Sequence, residues 1–215
     1  MGDGAVNRLS MKISIIVEGE TEKAFIPFLR EYLKGKLSGN MPSLKVHVYD
    51  GHIPTGDKLK RRVNNLLNDG NNSFDHVIAL TDVYTGEAPP VFTDAADAKN
   101  KMRQWVGSEP RFHPHAAQYD FEAWLLPYWS TIQQLAKHNK NAPNGNPESI
   151  NHNTPPAYRI KEIFLIGGHG RRYIKQRDAA RILRENDLSV AINQCAELKA
   201  LVNSIITICG GSIIT

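Results

Sequence analysis

The apolar positions of this 215-residue chain change period several times, and each change marks an element. Residues 12–17, KISIIV, form an apolar run of strand length, the pattern of a strand buried on both faces. Glu18-Gly19 breaks it. Thr21 is the expected N-cap of a helix whose apolar face is Phe25, Phe28, Leu29, Tyr32 and Leu33, with a bend at Pro27. Residues 44–49 alternate and read as a second strand; 51–56 are a turn. Leu59, Val63, Leu66 and Leu67 predict a second amphipathic helix, closed at Gly70. Residues 75–81, DHVIALT, are a third strand ending at Asp82. A Gly- and Pro-bearing loop follows. Then come a helix over 94–106, a strand over 112–117 and a short helix over 119–126.

Strand and helix alternate, which predicts an α/β layered fold with a mostly parallel four-stranded sheet flanked by helices. Residues 138–157 are rich in Asn and Pro, lack periodicity and read as a mobile loop or linker. Residues 158–208 are expected to form a helical C-terminal region packed on the core. Within it Asp187 would cap a helix whose face runs from Leu188 through Cys195 to Ile205. The expected organisation is a flexible leader 1–11, a core 12–137, the loop 138–157 and the helical region 158–208.

Composition changes this picture little. Apolar content of 41% and charged content of 22% are ordinary for a globular chain that builds its own core. No apolar run reaches the roughly 18 residues of a membrane span. The opening MGDGAVNRLS lacks a basic segment followed by an apolar one, so no secretory signal is expected. Cys195 and Cys209 fit no zinc spacing and read as reduced thiols, and the expected location is cytoplasmic. Net charge is +4, and its distribution matters more than its size. Arg171, Arg172, Lys175, Arg177 and Arg181 cluster late in the chain, and Lys58, Lys60, Arg61 and Arg62 form a second group. Either cluster suits a polyanion such as nucleic acid, and either suits a solvated helix face.

The chemistry concentrates at predicted strand ends, where parallel sheets bind ligands. Glu18 would project from the tip of the first strand and Glu22 from the first helical turn after it. Paired carboxylates there suit hard cations such as Mg²⁺ or Mn²⁺. The alternative is that acids at a helix start merely complement its dipole. Asp82 closes the third strand as a ligand or as a turn-former. Glu122, with Asp120, stands among the core-spaced Phe121, Trp124 and Leu125, where a lone acid costs energy unless paired or ligating. Glu87 and Asp94 are weaker candidates. Residues 167–175, GGHGRRYIK, offer three glycines and a basic run, a phosphate cradle or a hinge before a basic helix. Lys175 would there stabilise charge on a phosphoryl group. His113 and His115 share a strand face, and no histidine cluster of metal-ligand spacing is present.

VEGETE after a strand resembles the first motif of Toprim domains, most closely those of the DUF4276 and OLD-type nuclease group. TDVYTGEAP, QYDFEAWLL and YIKQRDAARILRENDL resemble, in order, that group's strand-end aspartate loop, its acidic-aromatic segment and its Tyr-x-Lys helical region. The resemblance implies a Mg²⁺- or Mn²⁺-dependent nuclease acting on DNA or RNA, tRNA included. It implies metal ligation by Glu18, Glu22, Asp82 and Glu122. It also implies an ABC/SMC-like ATPase partner and a role in defence against phage. The chain departs from the pattern at Tyr84, which stands where the motif has a second acid. That departure keeps open another class, a non-catalytic subunit that senses metal or nucleotide within an ATPase complex. The sequence leaves a homo-oligomeric state open.

Overall fold

The computed structural model describes residues 11–37, 41–84, 88–150, 154–167 and 172–215. One sheet holds four strands, β1 (Lys12–Val17), β2 (Ser43–Val48), β3 (His76–Asp82) and β4 (Phe112–Ala117). Their order is β2-β1-β3-β4, and every neighbouring pair is parallel. The helices are α1 (Glu20–Lys34), α2 (Gly56–Asn68), α3 (Ala95–Val106), α4 (Trp129–Ala136), α5 (Pro156–Ile166), α6 (Lys175–Arg184), α7 (Leu188–Gln194) and α8 (Ala196–Ile208). The expected layered α/β fold is therefore present, with a sheet that is wholly parallel.

Handedness places the helices. Parallel crossovers are right-handed, so reversing the direction of travel across a sheet reverses the face that the helix covers. The step β1 to β2 runs one way; β2 to β3 and β3 to β4 run the other. Accordingly α1 packs on one face, its Phe25, Leu29 and Leu33 against Ile13, Ile15 and Val17. Residues from α4, α5, α6, α7 and α8 join that same cluster. On the opposite face Leu59 and Val63 of α2 and Met102 of α3 meet Ile16, Val77 and Ala79. β1 and β3 are neighbours whose onward connections leave in opposite directions. Such a switch point opens a crevice at the carboxyl ends of the two strands.

Local chemistry explains where the elements depart from the sequence reading. α1 begins at Glu20, capped by Gly19 instead of Thr21. Gly19 is extended and donates its N–H to the Glu22 carboxylate at 3.0 Å, the reach-back half of a capping box. The short helix over 119–126 is a 3₁₀ segment, Phe121–Tyr128. α5 starts at Pro156, inside the stretch expected to be loop, with proline in the first turn where its missing N–H costs nothing. The single helix expected after Asp187 is two, α7 and α8, separated by an extended Cys195. The Glu148 carboxylate accepts the N–H of Glu197 at 3.1 Å and the indole N–H of Trp124 at 3.1 Å, fastening the new start. Glu148 belongs to the Asn/Pro-rich stretch. That stretch is irregular yet pinned, with the Trp129 indole N–H on the Lys140 carbonyl at 2.7 Å and Ile150 buried. Gly167 ends α5 against α4; a Cβ there would meet the Ala136 carbonyl oxygen at 1.8 Å, so only glycine fits. Among the described residues no helix is long and apolar enough to cross a membrane.

Candidate functional site

A cleft of about 340 Å³ opens at the switch point. Glu18, Glu22, Asp82, His52, Tyr84 and Lys175 line it. β1 delivers Glu18 and β3 delivers Asp82, while the first turn of α1 delivers Glu22. The register that joins β1 to β3 brings Thr81 beside Glu18. The Thr81 hydroxyl and the Asp82 N–H, the latter at 3.1 Å, both donate to one oxygen of Glu18. His52 Nδ1 stands 4.0 Å from its other oxygen. Of the residues expected to converge from strand ends, Glu18 and Asp82 share this cleft, where Glu22 and Lys175 join them.

Glu122 takes a different place. It is fully buried beneath the cleft instead of lining it. Tyr173 donates its hydroxyl to one oxygen at 3.3 Å, and Lys175 Nζ reaches the other at 3.2 Å. Asp120 is also buried; one oxygen accepts the Ala157 N–H at 3.1 Å, and the other is buried with no partner. Among the described residues, the ammonium facing Glu18, Glu22, Asp82, Asp120 and Glu122 is that of Lys175.

This imbalance sets the proton affinities. Burial raises the Glu18 carboxyl, Glu22 adds to the rise, and the group stands at about 7 despite Thr81, the Asp82 N–H and Lys175. Burial likewise raises Glu22, with Glu122 adding to it. Asp82 is pushed well above its ordinary value by burial and by Glu18, Glu22, Asp120 and Glu122 together. Asp120 rises to about 7 through burial and the nearby Glu122. Burial would lower Lys175, yet Glu122, Asp82 and Asp120 outweigh it and hold the amine above its ordinary value. A site that concentrates buried oxygen donors with too little positive charge matches hard divalent cations in chemistry. The partnerless oxygen of Asp120 points the same way. Among the described residues no three His, Cys, Asp or Glu side chains are gathered closely enough to hold a metal ion.

The basic residues separate. Arg171 and Glu87 lie outside the described residues. Arg172 is exposed. Arg177 binds the buried Asp178 with two nitrogens at 2.8 and 2.9 Å, and Arg181 stands 3.7 Å from the same acid. Lys58 and Arg61 are exposed on α2, while Arg62 donates toward His47 at 2.9 Å. Since α2 and α6 cover opposite faces of the sheet, the two clusters do not make one surface. Asp94 caps α3, accepting the Asp97 N–H at 2.8 Å.

Thr81 and His52 are site residues that the sequence reading did not single out, while Tyr173 entered it only as the Tyr of the Tyr-x-Lys segment. A hydroxyl in the otherwise apolar β3 was the available signal for Thr81. His52 sits in a turn, and no periodicity marks it.

The fold and cleft define an α/β protein with an acid-lined crevice at a switch point. The chain belongs to the family described as "Domain of unknown function (DUF4276)", whose model matches residues 17–206. Among curated proteins no sequence matches it. In structure it is similar to the C-terminal region of the Burkholderia pseudomallei OLD protein, at 16% identity and a TM-score of 0.48 over 92% of this chain and 98% of that one. It is similar also to the C-terminal region of the Xanthomonas campestris pv. campestris OLD protein, at 15% identity and a TM-score of 0.49 over 93% of this chain and 94% of that one.

Proposed function

We propose that the chain is a metal-dependent nuclease of the Toprim class, cleaving phosphodiester bonds of DNA or RNA, tRNA included. One observation carries the reading: Glu18, Glu22 and Asp82 meet Lys175 in a single cleft at the switch point. The resemblance of VEGETE to the first Toprim motif supports it. Glu18, Glu22 and Asp82 would have to draw closer together than they stand here to hold Mg²⁺ or Mn²⁺, with Glu122 or the free oxygen of Asp120 drawn in. When bound, such an ion supplies charge for the phosphoryl oxygens and an activated water.

The chain's own residues do the rest. Without a cation Glu18 stands at about 7 and exchanges a proton near neutral pH; a bound cation would favour its ionised, ligating form. The Thr81 hydroxyl and Asp82 N–H fix which oxygen of Glu18 faces the cleft. Tyr173 and Glu122 position the Lys175 ammonium, whose charge opposes that developing on a phosphoryl group. Arg172, with Arg171, Arg177 and Arg181, is assigned to the phosphate backbone, as are Lys58, Arg61 and Arg62 from the other face. An ATPase partner of the ABC/SMC-like type and a role in phage defence are part of the same proposal, on the family resemblance alone.

The test is incubation of purified protein with plasmid and with total tRNA, in Mg²⁺, Mn²⁺ or EDTA, beside Glu18→Ala. Cleavage that needs metal and vanishes in the variant is the expected result. Cleavage surviving EDTA and the substitution would overturn the reading. No cleavage under any condition, with the ATPase supplied, would favour the binding subunit, a reading that Tyr84 also favours.

A further inference from the structure

We infer that Tyr84 and Tyr119 form a stacking platform for an unpaired nucleobase at the lip of the carboxylate cleft. The inference deepens the proposed function by naming its substrate class, nucleic acid that is single-stranded or locally unpaired. Tyr84 lines the cleft with Glu18, Asp82 and Lys175, and it is 41% exposed. A ring that packs the core is buried, as Phe121 and Trp124 are in this chain. Tyr84 instead offers a face to solvent a short way from the acids. The Tyr84 ring also meets the Tyr119 ring, with centroids 5.4 Å apart and planes inclined by 36°.

Tyr119 is held for that contact. Its φ is +70°, a region that bulky side chains rarely adopt because Cβ crowds the backbone. The conformation is fastened on three sides. The Tyr119 carbonyl accepts the Tyr84 N–H at 2.7 Å, the Gln118 side chain accepts the Ala95 N–H at 2.9 Å, and Asp120 accepts the Ala157 N–H at 3.1 Å. Strained residues held in this way cluster at functional sites. Here the strain sets a second ring against Tyr84. His52, exposed and 4.0 Å from Glu18, faces the same cleft.

The surroundings decide what the rings take. Among the described residues of the cleft, the acids Glu18, Glu22 and Asp82 face the ammonium of Lys175, so attraction for a phosphate backbone is weak there without a cation. Stacking on an aromatic face needs no charge and accepts any base, because every base has a π-face. Bases inside a duplex already stack on one another, so only unpaired ones can use the platform.

The test is binding of the full chain, in EDTA, to a short single strand carrying one fluorescent adenine analogue, to its RNA counterpart and to the matching duplex. The single strands, DNA or RNA, should bind more tightly than the duplex and quench the analogue. Tyr84→Ala should weaken single-strand binding roughly 5- to 100-fold and abolish quenching. It should leave duplex binding and the slope of affinity against salt unchanged, because no phosphate contact is removed. Tyr84→Phe should bind as the wild type does. Single-strand binding indifferent to Tyr84→Ala, equal loss on duplex, or no binding by the wild type would each overturn the inference. The two readings fail separately. Tyr84-dependent binding without metal-dependent cleavage removes the nuclease and keeps the platform. Metal-dependent cleavage of single strand and duplex alike, unchanged in Tyr84→Ala, does the reverse.

Discussion

The two ends of the sheet treat their carboxylates in opposite ways. At the amino end the carboxylates meet N–H donors. The Lys12 N–H donates to Asp75 at 2.7 Å, and His76 pairs with His113 at 3.1 Å. Glu109 accepts three nitrogens of Arg111 between 3.0 and 3.1 Å. Those hydrogen bonds hold the Glu109 carboxyl below its ordinary value. At the carboxyl end Glu18, Glu22, Asp82 and Asp120 all rise, and one oxygen of Asp120 has no partner. A fold that can satisfy its charges at one end has left them in conflict at the other. Conflict retained beside good packing is the pattern expected of a functional site.

The largest expected effect is on cleavage. Glu18→Gln should lower metal-dependent cleavage by at least about a hundredfold, since ligand and proton-transfer roles are lost together and several kcal/mol go with them. Its melting temperature should not fall, because the substitution removes a buried carboxylate in conflict with Glu22. Loss of cleavage accompanied by unfolding in circular dichroism would mean that the conflict at this end is only apparent.

Next in size is the response to metal. A cation that binds only the folded chain at about 100 times its Kd stabilises by about 2.7 kcal/mol. For a chain of this length that is roughly 5 to 10 °C in a thermal melt with Mg²⁺ or Mn²⁺ at pH 8. Asp82→Asn and Glu18→Gln should abolish the rise, and substitutions at the amino end should leave it. A rise of equal size in both site variants would place the cation elsewhere.

The pH response is smaller and carries a definite sign. In EDTA the native Glu18 carboxyl keeps its proton up to about 7, while the unfolded one releases it near 4.5. Between those values the native state binds more protons, so stability falls as pH rises and levels off above 7. The loss attached to Glu18 is on the order of 3 kcal/mol, at about 1.4 kcal/mol for each tenfold difference in proton affinity. His115 acts in the other direction. Burial, then Lys99, His113 and Arg103, lower it from 6.5 to about 3. The unfolded chain therefore takes that proton first, and stability is lost as pH drops below 6.5. Urea unfolding of Glu18→Gln against wild type separates the two effects. The advantage of the variant should grow from pH 4.5 to 7 and then stay constant; an advantage that shrinks over that range would refute the assignment.

The contrast between the ends also explains what the sequence could disclose. Strands and helices were legible because one period decides each: Ile13, Ile15 and Ile16 are apolar because both faces of β1 are covered. Glu18 and Asp82 were legible because an acid directly after a buried strand has nowhere to point but the crevice. The break at Cys195 was not, because the apolar face continues through it. What splits the helix there is a carboxylate from Glu148, remote in sequence. Nor was the position of Glu122. Its helical neighbours are apolar in either case, and only the fold sets Tyr173 and Lys175 beneath the cleft. Tyr84 read as an acid missing from a motif; its exposure and its contact with Tyr119 are tertiary facts.

The smallest expected effect tests the quieter side of the comparison. Glu109 and Arg111 make a bidentate pair two residues apart, at the turn before β4, where both remain partly in water. Exposed pairs contribute a few tenths to about 1 kcal/mol, since each partner is already well solvated when unfolded. Glu109→Gln should therefore cost well under 1 kcal/mol in urea unfolding, and added salt should narrow even that difference. Cleavage and the Mg²⁺-dependent melt should match wild type. A loss of activity from this substitution would mean that the amino end of the sheet is coupled to the cleft, and the division between a satisfied end and a reactive one would no longer hold.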